Sequence, residues 1–310
     1  MSESADTLRA RATELGFTRL GVARAGRSPH ADRFLASLDA GHFASMAYLA
    51  REVDRRIDPR ATIPGARSVI AASFPYDGDA PFPDDNSHGK IARYARGRDY
   101  HKVVTPKIRQ LAEIIRDGDQ HRTWYNVDNG PILERDWAEA AGLGWIGKNG
   151  LVIDPELGSW FFLAVIITDR EYAADTPQTD HCGSCRRCLD ACPTDAFVAP
   201  RTVDSHRCIS YWTIEHRGDF PDDGVDRTHG WVFGCDICQE VCPFNTRTQR
   251  PRLAIDPDLA PRPLPTDLDT LASLTPESFL EAFAGTAVVR TKVDGLRRNA
   301  QAVRDPRSQP

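Results

Sequence analysis

Two rhythms of apolar residues run along the first part of the chain. Residues 4–16 mix apolar and charged positions at helical spacing and stop at Gly16, which predicts an amphipathic helix. Ser68 to Phe74 is an almost unbroken apolar run closed by Pro75, which predicts a buried strand. Residues 77–90, rich in Asp, Pro and Gly, are expected to form a loop. Thr105-Pro106 has the chemistry of a helix start, with Ile108, Leu111, Ile114 and Ile115 as its apolar stripe. A further helix is expected from Ile132 to Ala141, broken at Gly142-Leu-Gly144. Leu151–Asp154 and Trp160–Thr168 are expected to pair as strands, with Pro155 and Gly158 in the turn between them. After a Pro-rich start, the tail predicts two helices, one capped at Thr275-Pro276-Glu277 and one over Gly295–Arg304. Pro306–Pro310 is expected to be a disordered end. The fold class is mixed α and β.

Composition narrows the possibilities. The 310 residues suffice for about two domains, and 41% hydrophobic residues can build a core. The longest apolar run, Trp160–Ile167, falls short of the ~18 residues a membrane span needs. The opening Met1-Ser-Glu-Ser-Ala-Asp6 lacks the basic and apolar parts of a signal peptide, so a cytoplasmic protein with no membrane contact is expected. A formal net charge of −5 gives no bulk attraction to nucleic acid, and an RNA partner would need a local basic patch.

All eight cysteines lie between Cys182 and Cys242. In a reducing compartment such clustering favours metal over disulfides. The first motif is Cys182-x2-Cys185-x2-Cys188-x3-Cys192-Pro193. The second is Cys235-x2-Cys238-x3-Cys242-Pro243, with Cys208 ahead of it. In the bacterial two-cluster run, three close cysteines wrap one [4Fe–4S] cluster and the fourth reaches the other. By that logic Cys182, Cys185 and Cys188 pair with Cys242, while Cys208, Cys235 and Cys238 pair with Cys192. Zinc knuckles also use C-x2-C pairs, but zinc needs neither the third close cysteine nor the Cys-Pro ending. Two adjacent clusters form an electron path, and the cysteine-free front of the chain is the natural place for its terminus.

That front half offers no nucleotide fingerprint. Gly142 to Gly147 spells G-x-G-x-x-G, but it follows a helix and precedes a strand, the reverse of the dinucleotide-binding order. It reads instead as a turn that approaches something closely. In Tyr125–Arg135, Asp128 reads either as a helix cap or as a general acid whose pKa is raised by burial; Glu134 and Arg135 read as a surface pair. Lys90–His101 alternates basic and aromatic residues and suits either a solvated loop or a surface for a polyanion or planar cofactor.

Taken together, Met46-Ala-Tyr-Leu49, Arg55-Arg56-Ile-Asp-Pro59, Ile63–Ser68, Arg93-Tyr94 through Asp99-Tyr100-His101, Val127–Arg135, Ala141–Asn149, Gly158–Phe161, Cys208-Ile-Ser210 and Gly234–Gln239, with both cysteine motifs, resemble the epoxyqueuosine reductase family over about residues 5–305. The resemblance implies a cobalamin-binding catalytic domain over 1–175, similar to nitroreductase-like and reductive dehalogenase modules. It implies a ferredoxin-like domain with two [4Fe–4S] clusters over 176–250 and a short helical tail over 251–310. It implies reduction of epoxyqueuosine to queuosine in a tRNA anticodon loop, electrons passing through the clusters to cobalamin (B12).

By the same resemblance, Asp128 is the proton donor. Arg56, Ala92, Val152, Leu163, Ser210, Asp236 and Ile237, with Asp128, fall at the family's cobalamin-contacting positions. Arg135 and His216 fall where substrate is met. Arg290, Lys292, Arg297, Arg298, Arg304 and Arg307 outnumber Asp294 and Asp305, a patch expected to meet RNA phosphates, with Arg217 beside it. The chain ends soon after Asn299-Ala300, without the helical repeats some members carry, so a smaller RNA-binding surface is expected. Partners are a queuosine-type tRNA and a reductant protein of unspecified identity, and the chain is expected to be a monomer. The competing readings are a cobalamin-dependent reductive dehalogenase, a non-catalytic electron-transfer ferredoxin, and an RNA-binding module with a structural metal.

Overall fold

The structure is a computed structural model that describes residues 4–76, 81–83, 85–221, 226–246 and 253–304. Its centre is a four-stranded sheet with the order Arg19–Arg24, Ser68–Pro75, Phe161–Thr168, Thr123–Asn126, every neighbour antiparallel. All of Ser68–Pro75 is buried because both faces of the sheet are covered. Ile70, Ala72 and Phe74 face Leu8, Ile108, Leu111 and Ile115 from two helices. Val69 and Ala71 face Trp137 and Ala138 from a third. A central strand covered on both sides reads as a continuous apolar run, and this one does.

Helix Ala5–Glu14 forms as expected: the Ser4 Oγ accepts the Thr7 N–H at 3.2 Å, and Gly16 turns the chain with φ of 95°. The helix predicted from Thr105 begins earlier, at Tyr100, and runs to Arg116. Asp99 caps it by accepting the His101 N–H, and Tyr100, Val103 and Val104 extend the buried stripe. Pro106 lies inside on the solvent face, where the Lys102 carbonyl it leaves free is open to water. The expected pairing of Leu151–Asp154 with Trp160–Thr168 is replaced by two partnerships. Val152–Ile153 pairs with Trp145–Ile146, and Phe161–Thr168 joins the central sheet. Only a single Asp154–Gly158 bridge survives of the expected hairpin. Strand Arg19–Arg24 and helix Ala31–Asp39 had no place in the sequence reading.

In the tail, Thr275 and Ser278 cap helix Pro276–Phe283 reciprocally, at 3.2 and 2.9 Å. The last helix, Lys292–Arg304, starts three residues before Gly295. Leu296 and Ala300 pack with Leu268, Phe279 and Phe283, and also with Val232, Phe233, Ile91 and Ala95. The tail is therefore built onto the parallel pair Trp231–Phe233 and Lys90–Ile91. Asn299 fastens it by donating to the carbonyls of Thr213 and Val232 at 2.9 and 2.8 Å. The boundary expected at 250–251, the end at Pro306–Pro310, and Asp305 and Arg307 of the basic patch lie outside the described residues, as do 77–80 and 84 of the expected loop. No helix among the described residues is long and apolar enough to cross a membrane.

Candidate cluster sites and acid site

Cys182, Cys185, Cys188 and Cys242 line one cavity of about 260 Å³. The loop carrying the first three is closely held. Asp180 accepts the Cys182 N–H at 2.7 Å, and Cys185 N–H returns to the Cys182 carbonyl at 2.9 Å. Lys148 donates to the carbonyls of Gly183 and Cys185 at 2.7 and 2.8 Å. Trp145 donates its indole N–H to the Cys182 Sγ. This is what the Gly142–Asn149 stretch approaches. Gly144 and Gly147 are required by the neighbouring strand: a Cβ on Gly144 would lie 2.1 Å from the Ile153 carbonyl oxygen.

The remaining thiols form a second group. Burial pushes Cys208, Cys235 and Cys238 up, and thiol neighbours add to it. Cys192 acts on Cys208 and Cys235, and Cys208 acts on Cys235 and Cys238. In the first group, burial and then Cys182 and Cys242 push Cys188 up to about 11. Cys188 also acts on Cys238, so the two groups adjoin. Thiols raised this way ionise only against a bound cation. Sulfurs around one zinc ion would sit within ~4 Å of each other. Among the described residues no three Cys, His, Asp or Glu side chains converge to hold a single ion. The first group surrounds a volume instead.

Asp128 sits where Thr123–Asn126 turns toward helix Glu134–Ala140. Its backbone is left-handed, with φ of 63°. Its Oδ2 accepts the Tyr100 hydroxyl and lies 3.8 Å from the His101 Nε2. Tyr100 is stacked between His101 and Phe162, with ring centroids at 4.1 and 4.2 Å. Asp99 fixes the His101 ring through Nδ1 at 2.8 Å.

Two expectations for Asp128 fail. It caps no helix, because the residue before Glu134–Ala140 is Leu133, which makes no side-chain cap. Nor is it buried: 63% of its side chain is exposed. The enclosed carboxyl is Glu134, expected from the sequence to form a surface pair with Arg135. Burial and the Asp128 charge push Glu134 up to about 8, against hydrogen bonds from the Asp128 N–H and the Asn126 amide. Arg135 makes no pair with it and donates instead to the Gly150 carbonyl at 2.9 Å. Glu134 went unseen because an acidic residue in the first turn of a helix usually faces solvent. The apolar Ile132-Leu133 before it was the available signal.

The acid faces a mixed rim. Tyr48 lies in the field of Glu215, Arg290, Asp128 and Arg56 together. Arg290 grips Glu215 through two bonds of 3.0 and 2.9 Å, and Arg56 donates to the carbonyls of Tyr48 and Arg51. Ala92 and Ile237 pack in one cluster with Cys235 of the second thiol group. Asp236, buried and raised to about 6 chiefly by that burial, accepts the Arg93 N–H at 2.8 Å. Ser210 opens the π-helical turn Tyr211–Glu215. Val152 and Leu163 lie apart from these, in the cluster on the Trp137 face of the sheet.

The tail arginines are mostly engaged. Arg298 spends its guanidinium on the carbonyls of Trp212, His216 and Gly218 and on the Asn299 side chain. These bonds commit its guanidinium to the protein's own backbone. Arg304 pairs with Asp269, and Arg217 donates to the Ile214, His216 and Arg290 carbonyls. His216 bonds the Asp219 carbonyl and packs on Trp212. Arg297 and Lys292 have no side-chain partner among the described residues and remain candidates for phosphate.

Residues 181–245, which contain all eight cysteines, match the family model of a 4Fe-4S double cluster binding domain. Residues 56–129, from Arg56 to just past Asp128, match the model described as Epoxyqueuosine reductase QueG, DUF1730. The epoxyqueuosine reductase of Synechocystis sp. (strain ATCC 27184 / PCC 6803 / Kazusa) is 45% identical over 274 residues, covering 88% of this chain and 94% of that protein. The chain belongs to the epoxyqueuosine reductase family. The fold agrees. A crystal structure of epoxyqueuosine reductase with an epoxyqueuosine-modified tRNA-Tyr stem loop superposes with a TM-score of 0.87 at 31% identity, over 96% of this chain and 80% of that one. An epoxyqueuosine reductase from Bacillus subtilis, with its catalytic aspartate loop swung out of the active site, gives 0.86 at 29% over the same shares. Membership in this family displaces the reductive dehalogenase, the passive electron carrier and the RNA-binding module as readings of the chain.

Proposed function

We propose that this chain reduces epoxyqueuosine to queuosine in a tRNA anticodon loop and that Asp128 delivers the proton that lets the epoxide oxygen leave. The reaction consumes two electrons and two protons and releases the oxygen as water. One [4Fe–4S] cluster is held by Cys182, Cys185, Cys188 and Cys242, the other by Cys192, Cys208, Cys235 and Cys238. The shared cavity of the first four and the mutual influence of the second four support this division. The clusters, when bound, would supply one-electron transfer, with electrons drawn from a reductant protein.

Cobalamin, when bound, supplies low-valent cobalt chemistry that no side chain offers. Ala92, Ser210, Asp236 and Ile237 would hold it beside the second cluster, with Arg56, Val152 and Leu163 as further contacts. The residues suit a flat macrocycle. Ala92 is buried against Gly234, where a Cβ would lie 2.6 Å from the Ala92 Cβ, so both positions need small residues and the chain here stays flat.

The observation that carries the reading is the placement of Asp128. It is an exposed carboxyl held by a stacked tyrosine, next to His101 and opposite Arg290. An alkoxide is a poor leaving group, so an acid within reach of the breaking C–O bond is required. An exposed carboxyl can meet a substrate that arrives from solvent. Arg135, His216 and Arg297 are the proposed substrate contacts, with Arg297 and Lys292 both without a side-chain partner among the described residues and open to phosphate.

The test is Asp128→Asn. The variant is expected to keep iron, acid-labile sulfide and cobalamin binding while turnover on an epoxyqueuosine stem loop falls by roughly 10²-fold or more. Full turnover refutes the acid role. A wild-type protein that loads iron yet takes up no cobalamin in any form refutes the cofactor assignment.

A further inference from the structure

We infer that Glu134 is a positioning residue that sets the Asp128 loop for proton delivery; the inference rests on Asp128 being the acid. One oxygen of Glu134, Oε1, accepts both the Asn126 Nδ2 and the Asp128 backbone N–H, each at 2.8 Å. The two donors bracket the turn. Asn126 is buried at the end of the Thr123–Asn126 strand, and Asp128 is the first residue to reach solvent.

Asp128 needs such a hold. Asp adopts a left-handed backbone more readily than most residues with a Cβ, but the conformation is still held best where its surroundings fix it. Here Asn129 N–H closes onto the Val127 carbonyl at 2.8 Å, and Gly130 lies so close that a Cβ would meet the Asn126 Oδ1 at 2.4 Å. Glu134 supplies the acceptor that fixes the Asp128 main chain, while the Tyr100 hydroxyl fixes its carboxyl. Main chain and side chain are thus held from two different helices, and losing either hold frees the acid to rotate.

The role depends on accepting hydrogen bonds, not on charge. A protonated carboxyl keeps an oxygen that accepts both bonds, and so does a glutamine amide. The ionisable groups around Glu134 are Asp128, Arg135 and Tyr100, and none of them replaces its acceptor.

The test compares Glu134→Ala, Glu134→Gln and Asp128→Asn in the holoenzyme with an epoxyqueuosine-modified stem loop as substrate. Glu134→Ala is expected to lower kcat roughly 10²-fold with KM, iron content and cobalamin uptake unchanged. Glu134→Gln is expected to recover most of that loss. Wild-type kcat in Glu134→Ala beside an inactive Asp128→Asn overturns the positioning role and leaves the acid standing. Glu134→Gln as slow as Glu134→Ala overturns the acceptor role in favour of the ionised group. A fully active Asp128→Asn removes the acid, and the positioning role falls with it.

Discussion

The indole N–H of Trp145 donates to the Sγ of Cys182 across 3.4 Å. Trp145 is almost wholly buried, and His181 and Phe244 pack edge-on against its ring at 5.0 and 4.8 Å. The donor cannot swing away, so the bond belongs to the resting geometry of the first cysteine group.

A hydrogen bond to a cluster sulfur stabilises the reduced, more negative state and raises the potential. With the ligation proposed above, Trp145→Phe keeps an aromatic, though smaller, ring in the buried site and removes the donor. The potential of the Cys182 cluster is expected to fall, while that of the Cys208 cluster stays in place. A redox titration followed by electron paramagnetic resonance reads both. Equal shifts in the two clusters, or none, contradict the role of this bond.

Arg298 makes a prediction of the opposite kind, about stability instead of recognition. Its guanidinium joins the last helix to the carbonyls of Trp212, His216 and Gly218, of which His216 also accepts from Arg217, and it lies over the Phe220 ring at 4.3 Å. Arg298→Ala leaves the carbonyl of buried Trp212 without this donor and is expected to cost about 1–3 kcal/mol. Arg297→Ala, which breaks no pair among the described residues, is expected to leave stability unchanged and weaken stem-loop binding, more so at low salt. Urea unfolding and binding titrations separate the two. A stable Arg298→Ala that loses only RNA affinity reverses the assignment.

Local chemistry made some of this legible in the sequence. Ser4 and Gly16 bound their helix, Thr275 starts its own, and the apolar run Ser68–Phe74 becomes the most buried strand, because each signal acts within a few residues. Cysteine spacing put Cys182, Cys185, Cys188 and Cys242 together, and these four line one cavity. What stayed hidden depends on distant partners. Thr105-Pro106 imitates a helix start, but the cap is Asp99, upstream. Val152–Ile153 chooses Trp145–Ile146 over the nearer-looking Phe161–Thr168, whose pairing is settled by the central sheet. Charge counting named a basic patch in the tail, yet Arg290, Arg298 and Arg304 are committed to Glu215, to backbone carbonyls and to Asp269. Glu134 and Asp128 exchanged their expected burial because the turn between them folds the glutamate inward and the aspartate out.

That exchange gives stability a pH dependence whose sign is fixed. The carboxyl of Glu134 titrates near 4.5 in an unfolded chain and is pushed up to about 8 in the fold by burial and the Asp128 charge. Below 4.5 both states carry the proton, and its contribution is complete. Between 4.5 and about 8 the unfolded chain releases the proton while the folded one retains it, so stability drains away as pH rises and levels off above that window. Asp236, raised from 3.8 to about 6, acts in the same direction at lower pH, but it is common to wild type and any Glu134 variant and cancels between them. Glu134→Gln removes the titration and keeps the acceptor. Its melting temperature minus that of wild type is therefore expected to grow steadily across this window and to stay flat beyond it. Thermal unfolding of both proteins over a pH series measures the difference. A difference that shrinks with rising pH means that the folded state prefers the ionised carboxylate, and Glu134 then grips Asp128 through its charge.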